Sequence, residues 1–287
     1  MRSTSATTIV ETQSGLRFAK CPHWRGQELL FLDVDERCIK SASINGLVQT
    51  VQGLPYVPGC FSVLIDGAFI VSDAWRRTMF RLGPAGQQQV ADISSLAQFC
   101  LNDVVVDSCG GIYVCDVGYD FQDPLVDPMP NGTIIYISVD GTSSVVARDL
   151  FSPSGMIIIP DRRTLIVAET LGHRLTAFDI SSEGGLQNSR VWAQFHDDIT
   201  PIGICLDTGG GIWVAGAVPH AIRVSEGGEI DQKISTEQLV FATALGGPQG
   251  RSLFLCTCDS NDPVMTRRAY NATIEVAEVD TAGGKVS

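Results

Sequence analysis

Short apolar runs of β character recur along the chain, each reached through a turn rich in glycine or aspartate. They read Leu29-Leu-Phe-Leu-Asp33, Ala68-Phe-Ile-Val-Ser72 and Gly111-Ile-Tyr-Val-Cys115, then Thr164-Leu-Ile-Val-Ala168, Gly211-Ile-Trp-Val-Ala215 and Ser252-Leu-Phe-Leu-Cys256. Successive centres lie roughly 40 to 50 residues apart, the period of a repeat architecture. The turns ahead of them include Ile65-Asp-Gly67, Asp107-Ser-Cys-Gly-Gly111 and Asp207-Thr-Gly-Gly-Gly211. Glycine and aspartate there supply the backbone conformations that a tight hairpin requires.

A further strand follows each run: Cys38-Ile-Lys40, Thr78–Leu82, Thr133–Ile137, Arg174–Phe178, Ala221–Val224 and Thr273–Ala277. Weaker outer strands come next, as at Ser144–Ala147 and Val191–Gln194. Long amphipathic helical patterns are missing. Four strands per unit in six units predict an all-β chain, a six-bladed β-propeller forming one domain over residues 1–287. The last unit lacks an outer strand, and Thr7-Thr-Ile-Val-Glu11 is an unassigned strand-like run that would complete it. A β-sandwich is the competing architecture, but it does not account for an even six-fold spacing.

Composition narrows the class of protein. Hydrophobic residues make up 44% and charged residues 18%, a core-rich folded chain. The net charge of −12 argues against nucleic acid or an anionic membrane surface as a partner. No apolar run is long enough to cross a membrane as a helix, and the Ser/Thr-rich start has no signal-like apolar region. Nine cysteines, an odd number, lie partly inside apolar runs. Free thiols in a reducing cytoplasm are therefore expected, and the Asn131 and Asn271 glycosylation patterns would go unused there. Neither a Gly-x-Ser-x-Gly elbow, a phosphate loop nor a dinucleotide fingerprint is present.

Several segments, in order, resemble the gluconolactonase and regucalcin family. They are Pro22-His23-Trp24 with Leu30–Asp33, Leu101-Asn-Asp103, Pro153-Ser-Gly155, Arg163–Ala168 and Pro201-Ile-Gly203 with Ile212–Ala215. The resemblance implies a propeller whose mouth holds a divalent cation. Its ligands would be a Glu opening the first inner strand, an Asn opening the fourth and an Asp opening the fifth, with a further Asn in the third blade. The matching positions here are Lys20, Ser154 and Ile202; only Asn102-Asp103 is kept. An ammonium, a hydroxyl and an alkyl group replace the ligands, so neither a metal nor another cofactor is expected.

Alternating strand direction places the starts of the inner strands and the loops after the second strands on one face. Lys20, Asn102 and Ser154 are the catalytic candidates, as hydrogen-bond donors to a carbonyl. Trp24, Trp75, Asp103, Tyr119, Phe121, His173, Ile202, His220, Met265 and Arg267 are candidates for substrate binding. Each has a plainer role open to it: Lys20 as a solvated rim residue, Asp103 as a bracket for backbone amides, His173 and His220 as rim residues, and Cys256 with Cys258 as packing. The mixture suits a small hydrophobic metabolite, bound by a monomer or homodimer.

Three functions compete on the sequence alone. One is a metal-independent enzyme that guides cyclisation or isomerisation of a carbonyl compound, by analogy with fungal hetero-Diels–Alder pericyclases. The second is a divergent metal-dependent lactonase. The third is a non-catalytic binding propeller.

Overall fold

The computed structural model describes residues 2–10, 15–121, 123, 129–159, 163–196, 198–260 and 270–284. No helix occurs among them. Six sheets, antiparallel but for one added edge strand, follow one another along the chain, the six blades of a β-propeller. They group into two compact units, Pro58–Gln194 and Met1–Val57 with Phe195–Val286.

The unit Pro58–Gln194 holds three four-stranded sheets. The first comprises Pro58–Val63, Phe69–Asp73, Thr78–Gly83 and Gly86–Asp92. The second comprises Leu101–Val106, Ile112–Asp116, Gly132–Ile137 and Ser143–Leu150. Pro153–Ile159, Thr164–Glu169, Arg174–Ile180 and Leu186–Gln194 form the third. Each opening strand packs beside the opening strand of the next sheet. The approach is so close that a Cβ on Gly59 would lie 2.0 Å from the Leu101 carbonyl oxygen, so only glycine fits. The second strands Ile112–Asp116 and Thr164–Glu169 are buried throughout, and Tyr113 and Leu165 share one apolar cluster between their two sheets.

In the other unit, Ala19–Arg25, Glu28–Asp33, Cys38–Ser43 and Val48–Gly53 make one sheet. Leu239–Gly246, Ser252–Cys258 and Thr273–Glu278 make another, completed by Thr7–Val10 antiparallel to Thr273–Glu278, as the sequence predicts. The third is built from Ile204–Leu206, Ile212–Ala215, His220–Val224 and Ile230–Ser235. It gains a fifth strand that the sequence does not announce: Arg2–Ser5 pairs in parallel with Ile230–Ser235. All four of its residues are exposed, so no alternation of burial marks it.

One device recurs at the end of the second strands. Asp33, Asp73, Asp116 and Glu169 are buried there, and each carboxylate accepts backbone amides from neighbouring loops. Asp33 also receives Lys40 Nζ at 2.8 Å, while Asp116 is bonded by the Gln98 amide at 2.7 Å and the Phe99 amide at 3.0 Å. At Asp33, Asp116 and Glu169 these bonds fasten the loop that leads into an opening strand to the second strand that follows it, whereas Asp73 holds the Arg76 amide of its own turn. Buried charge is costly unless satisfied in this way.

Asp116 shows the cost. Burial pushes its carboxyl above the usual range, against the opposing pull of the Gln98, Phe99 and Gly118 amides. A carboxyl raised on folding gives stability that is complete below the unfolded pKa and is lost as pH rises through the folded value. The expected result is that the melting temperature of Asp116→Asn minus that of the wild type increases from about pH 4 towards neutrality. A thermal-shift series across that range checks it, and a flat difference would show that Asp116 carries no such cost.

Candidate functional site

Within each unit, strand register brings the candidate residues to one end. Pro58 pairs with Asp73, Leu101 with Asp116 and Pro153 with Glu169, so opening strands start where second strands finish. The loops after the second strands therefore leave from the end that carries Asn102 and Ser154. In the other unit Ala19 pairs with Asp33 and Leu239 with Cys258, which places Lys20 likewise.

Each opening strand also carries an irregularity at this end. Pairing slips by one residue between Lys20 and His23, Pro58 and Phe61, Leu101 and Val104, Pro153 and Met156, and Val240 and Ala242. Before Ile204 the same place is marked differently: the Ile202 amide donates to the Ala215 carbonyl at 2.8 Å, and the Ala215 amide donates to the Gly203 carbonyl at 2.9 Å. Such bulges redirect side chains and are over-represented beside active sites. In the first of these strands Cys21 adopts φ 50°, a left-handed conformation unusual for a residue with a side chain.

In the unit Pro58–Gln194, Asn102 Nδ2 donates to the Pro153 carbonyl at 3.3 Å, and Asp103 accepts the Met156 amide at 2.7 Å. The pair therefore ties two opening strands together. Asp103 serves as a bracket for a backbone amide, the plainer role left open by the sequence. Ser154 is 4% exposed, and its hydroxyl lies 2.9 Å from the Thr170 hydroxyl. Thr170 follows Glu169 directly, and nothing in the local sequence pattern singles it out.

Trp75 and Phe121 meet with ring centroids 6.0 Å apart at 33°. They lie in the loops that carry Ala74 and Val117, which pack together with Cys100 and Phe99. Both rings remain well exposed, at 38% and 47%. Tyr119 is half-buried in the same loop as Phe121. His173 has φ 50°, and its carbonyl accepts Gln194 Nε2 at 2.9 Å.

In the other unit Lys20 is half-buried, opposite Leu32 at the start of its strand. Ile202 packs against an apolar cluster that includes Phe241 and Ala242, and Phe18 flanks the same cluster. His220 opens a third strand; burial lowers its pKa, helped by the Lys233 charge and opposed by Asp198. Trp24 is not brought to this end. It lies opposite Leu29, stacks on Phe254 at 5.1 Å and 12°, and fills the space above Gly246. Met265 and Arg267 lie outside the described residues. Tyr270, beyond that gap, accepts a hydrogen bond from Arg17, whose guanidinium lies 3.9 Å from the ring centroid.

Residues 18–259 match the protein family described as SMP-30/gluconolactonase/LRE-like region. The chain belongs to that family. It is 24% identical to a regucalcin of Danio rerio over 200 residues, covering 68% of this chain and 66% of the relative. It is 27% identical to lactonase drp35 of Staphylococcus epidermidis over 216 residues, covering 71% and 64%. The chain thus spans less than two thirds of these curated relatives. The structure of a calcium-binding regucalcin from Agrobacterium tumefaciens superposes with a TM-score of 0.79 at 16% identity, over 100% of this chain and 98% of that one.

The residues present do not fit a calcium ion. Hard divalent cations need several oxygen ligands, and the described residues contain no group of three or more His, Cys, Asp or Glu able to hold a metal. The end of the unit Pro58–Gln194 offers an amide, hydroxyls and partly exposed aromatic faces, and that of the other unit an ammonium.

Proposed function

We propose that the protein is a lactonase-type enzyme that opens a small, largely apolar cyclic ester. The observation that carries this reading is membership of the SMP-30/gluconolactonase-like family across residues 18–259. The curated lactonase relatives support it. In the reaction, water adds to the carbonyl carbon, the ring C–O bond breaks, and the released alkoxide takes a proton to leave a hydroxy acid. Negative charge grows on the carbonyl oxygen before the ring opens, and preorganised donors act most strongly on charge that develops in this way. Lys20 is the donor we assign to that oxygen. In the same unit, Ile202 and His220 would hold the apolar remainder of the substrate.

A second reading is favoured by one observation. Lys20 and Ile202 bring no oxygen donor to positions where the family resemblance places metal ligands. On this reading the protein guides a metal-independent cyclisation or isomerisation of a hydrophobic carbonyl compound, the hetero-Diels–Alder type included. Orientation and a hydrogen bond suffice for such a step. The nine cysteines form no disulfide, which supports a reducing, cytoplasmic setting for either reading. No helix among the described residues is long and apolar enough to cross a membrane. We place the active form as a monomer or homodimer acting on a free small molecule.

Product mass separates the two readings. Purified protein is incubated with a panel of γ- and δ-lactones bearing apolar substituents, and acid release is followed beside mass spectrometry. Saturable opening with the gain of one water supports the lactonase reading. A panel left wholly intact would overturn it, and a carbonyl substrate converted without change of mass would establish the second.

A further inference from the structure

The calcium-binding relative raises a question that the side chains of this protein answer. We infer that this chain has given up the divalent cation of its relatives: the positions matching the family's ligands hold an ammonium, an alkyl group and a hydroxyl already bonded within the protein. Three independent features support this.

First, Ile202 is a packing residue. It lies against the cluster containing Phe241 and Ala242, and Gly203 beside it approaches that strand so closely that a Cβ would fall 2.6 Å from the Ala242 Cα. An aspartate in place of Ile202 would bring a carboxylate against apolar groups, at a high desolvation cost. Second, two oxygen donors of the other unit, Ser154 and Asp103, are already engaged. Ser154 is 4% exposed, with its hydroxyl against Thr170 at 2.9 Å and the Ala168 carbonyl at 3.5 Å. Asp103 receives the Met156 amide at 2.7 Å. Third, three buried acids at the ends of second strands are not released to take over. Asp33 is bonded to Lys40, Asp116 to the Gln98 and Phe99 amides, and Glu169 to Arg174, Thr176 and the Phe151 amide. Calcium takes six to eight oxygens and magnesium an octahedron, whereas these carboxylates are each spent on protein donors. Lys20 adds a positive charge where the resemblance places an acid, which repels a cation further.

The inference rests on the family reading but not on the reaction proposed above. Its test reads binding rather than turnover, so either can fail alone. Purified full-length protein is melted in EDTA and in millimolar calcium, magnesium and manganese, and its metal content is measured by plasma mass spectrometry. The calcium-binding Agrobacterium relative is run alongside as the standard. A ligand held only by the folded state raises the melting temperature in proportion to its saturation. We expect substoichiometric metal and the same melting temperature under all conditions, while the standard shifts upward with calcium. One equivalent of any divalent ion, or a rise of several degrees with one of them, would overturn the inference.

Discussion

Glu169→Ala is expected to lower the melting temperature steeply, by on the order of 10 °C. Glu169 is fully buried at the end of its strand. It accepts Arg174 Nε at 2.7 Å and Nη2 at 3.1 Å, the Thr176 hydroxyl, and the Phe151 amide at 2.8 Å. Alanine would strand a guanidinium and an amide together. Breaking a buried pair by deleting one partner costs about 3–5 kcal/mol, and at roughly 2–4 °C per kcal/mol for a large domain this gives the stated shift. The effect reaches the candidate site, because Pro153 is the register partner of Glu169 and Ser154 follows it. Thermal unfolding of Glu169→Ala beside Glu169→Gln checks this. Glutamine keeps one acceptor and should recover part of the loss; equal losses, or none, would show that the carboxylate does not fasten this end.

Lys20→Ala is expected to lower kcat/KM for a lactone substrate about 100-fold or more, the usual consequence of removing one oxyanion donor. The fold should be retained, since Lys20 is half-buried and its strand is held by Leu29, Phe31 and the Trp24–Phe254 stack. The loss should fall on kcat rather than on KM, because the donor acts on charge that develops in the transition state. Lys20→Arg, which keeps a cationic donor, should recover part of the rate. An unchanged kcat in Lys20→Ala with an unchanged melting temperature would remove Lys20 from the chemistry.

The architecture was legible because propeller strands obey local rules. The six runs read from the sequence coincide with strands Glu28–Asp33, Phe69–Asp73, Ile112–Asp116, Thr164–Glu169, Ile212–Ala215 and Ser252–Cys258. Their signal survives because these strands are buried on both faces, where β-branched and aromatic residues are selected for packing. Outer strands were read too short. Leu186–Gln194 begins well before Val191, since its early residues are exposed and carry no apolar signature. Arg2–Ser5 escaped for the same reason.

The candidate site was legible only as far as strand direction sorts residues to an end. Asn102, Ser154, Trp75 and Phe121 fall there by register alone. What they touch is decided between sheets, where no local pattern reaches. The Trp75–Phe121 contact, the tie from Asp103 to the Met156 amide and the pairing of Ser154 with Thr170 all join different strands or sheets. Trp24 is the instructive case. It is a substrate-binding candidate on sequence, but four residues along the strand from Lys20 carry its side chain roughly 13 Å away. There it meets Phe254 and stands over Gly246.

The most direct measurement of the central claim, a lactone-opening enzyme that supplies its own cation, is wild-type kcat/KM for the best lactone of the panel, in EDTA and again in calcium. Equal values are predicted in the two buffers, with a low value for Lys20→Ala in both. Activity abolished by EDTA and restored by calcium would contradict the claim.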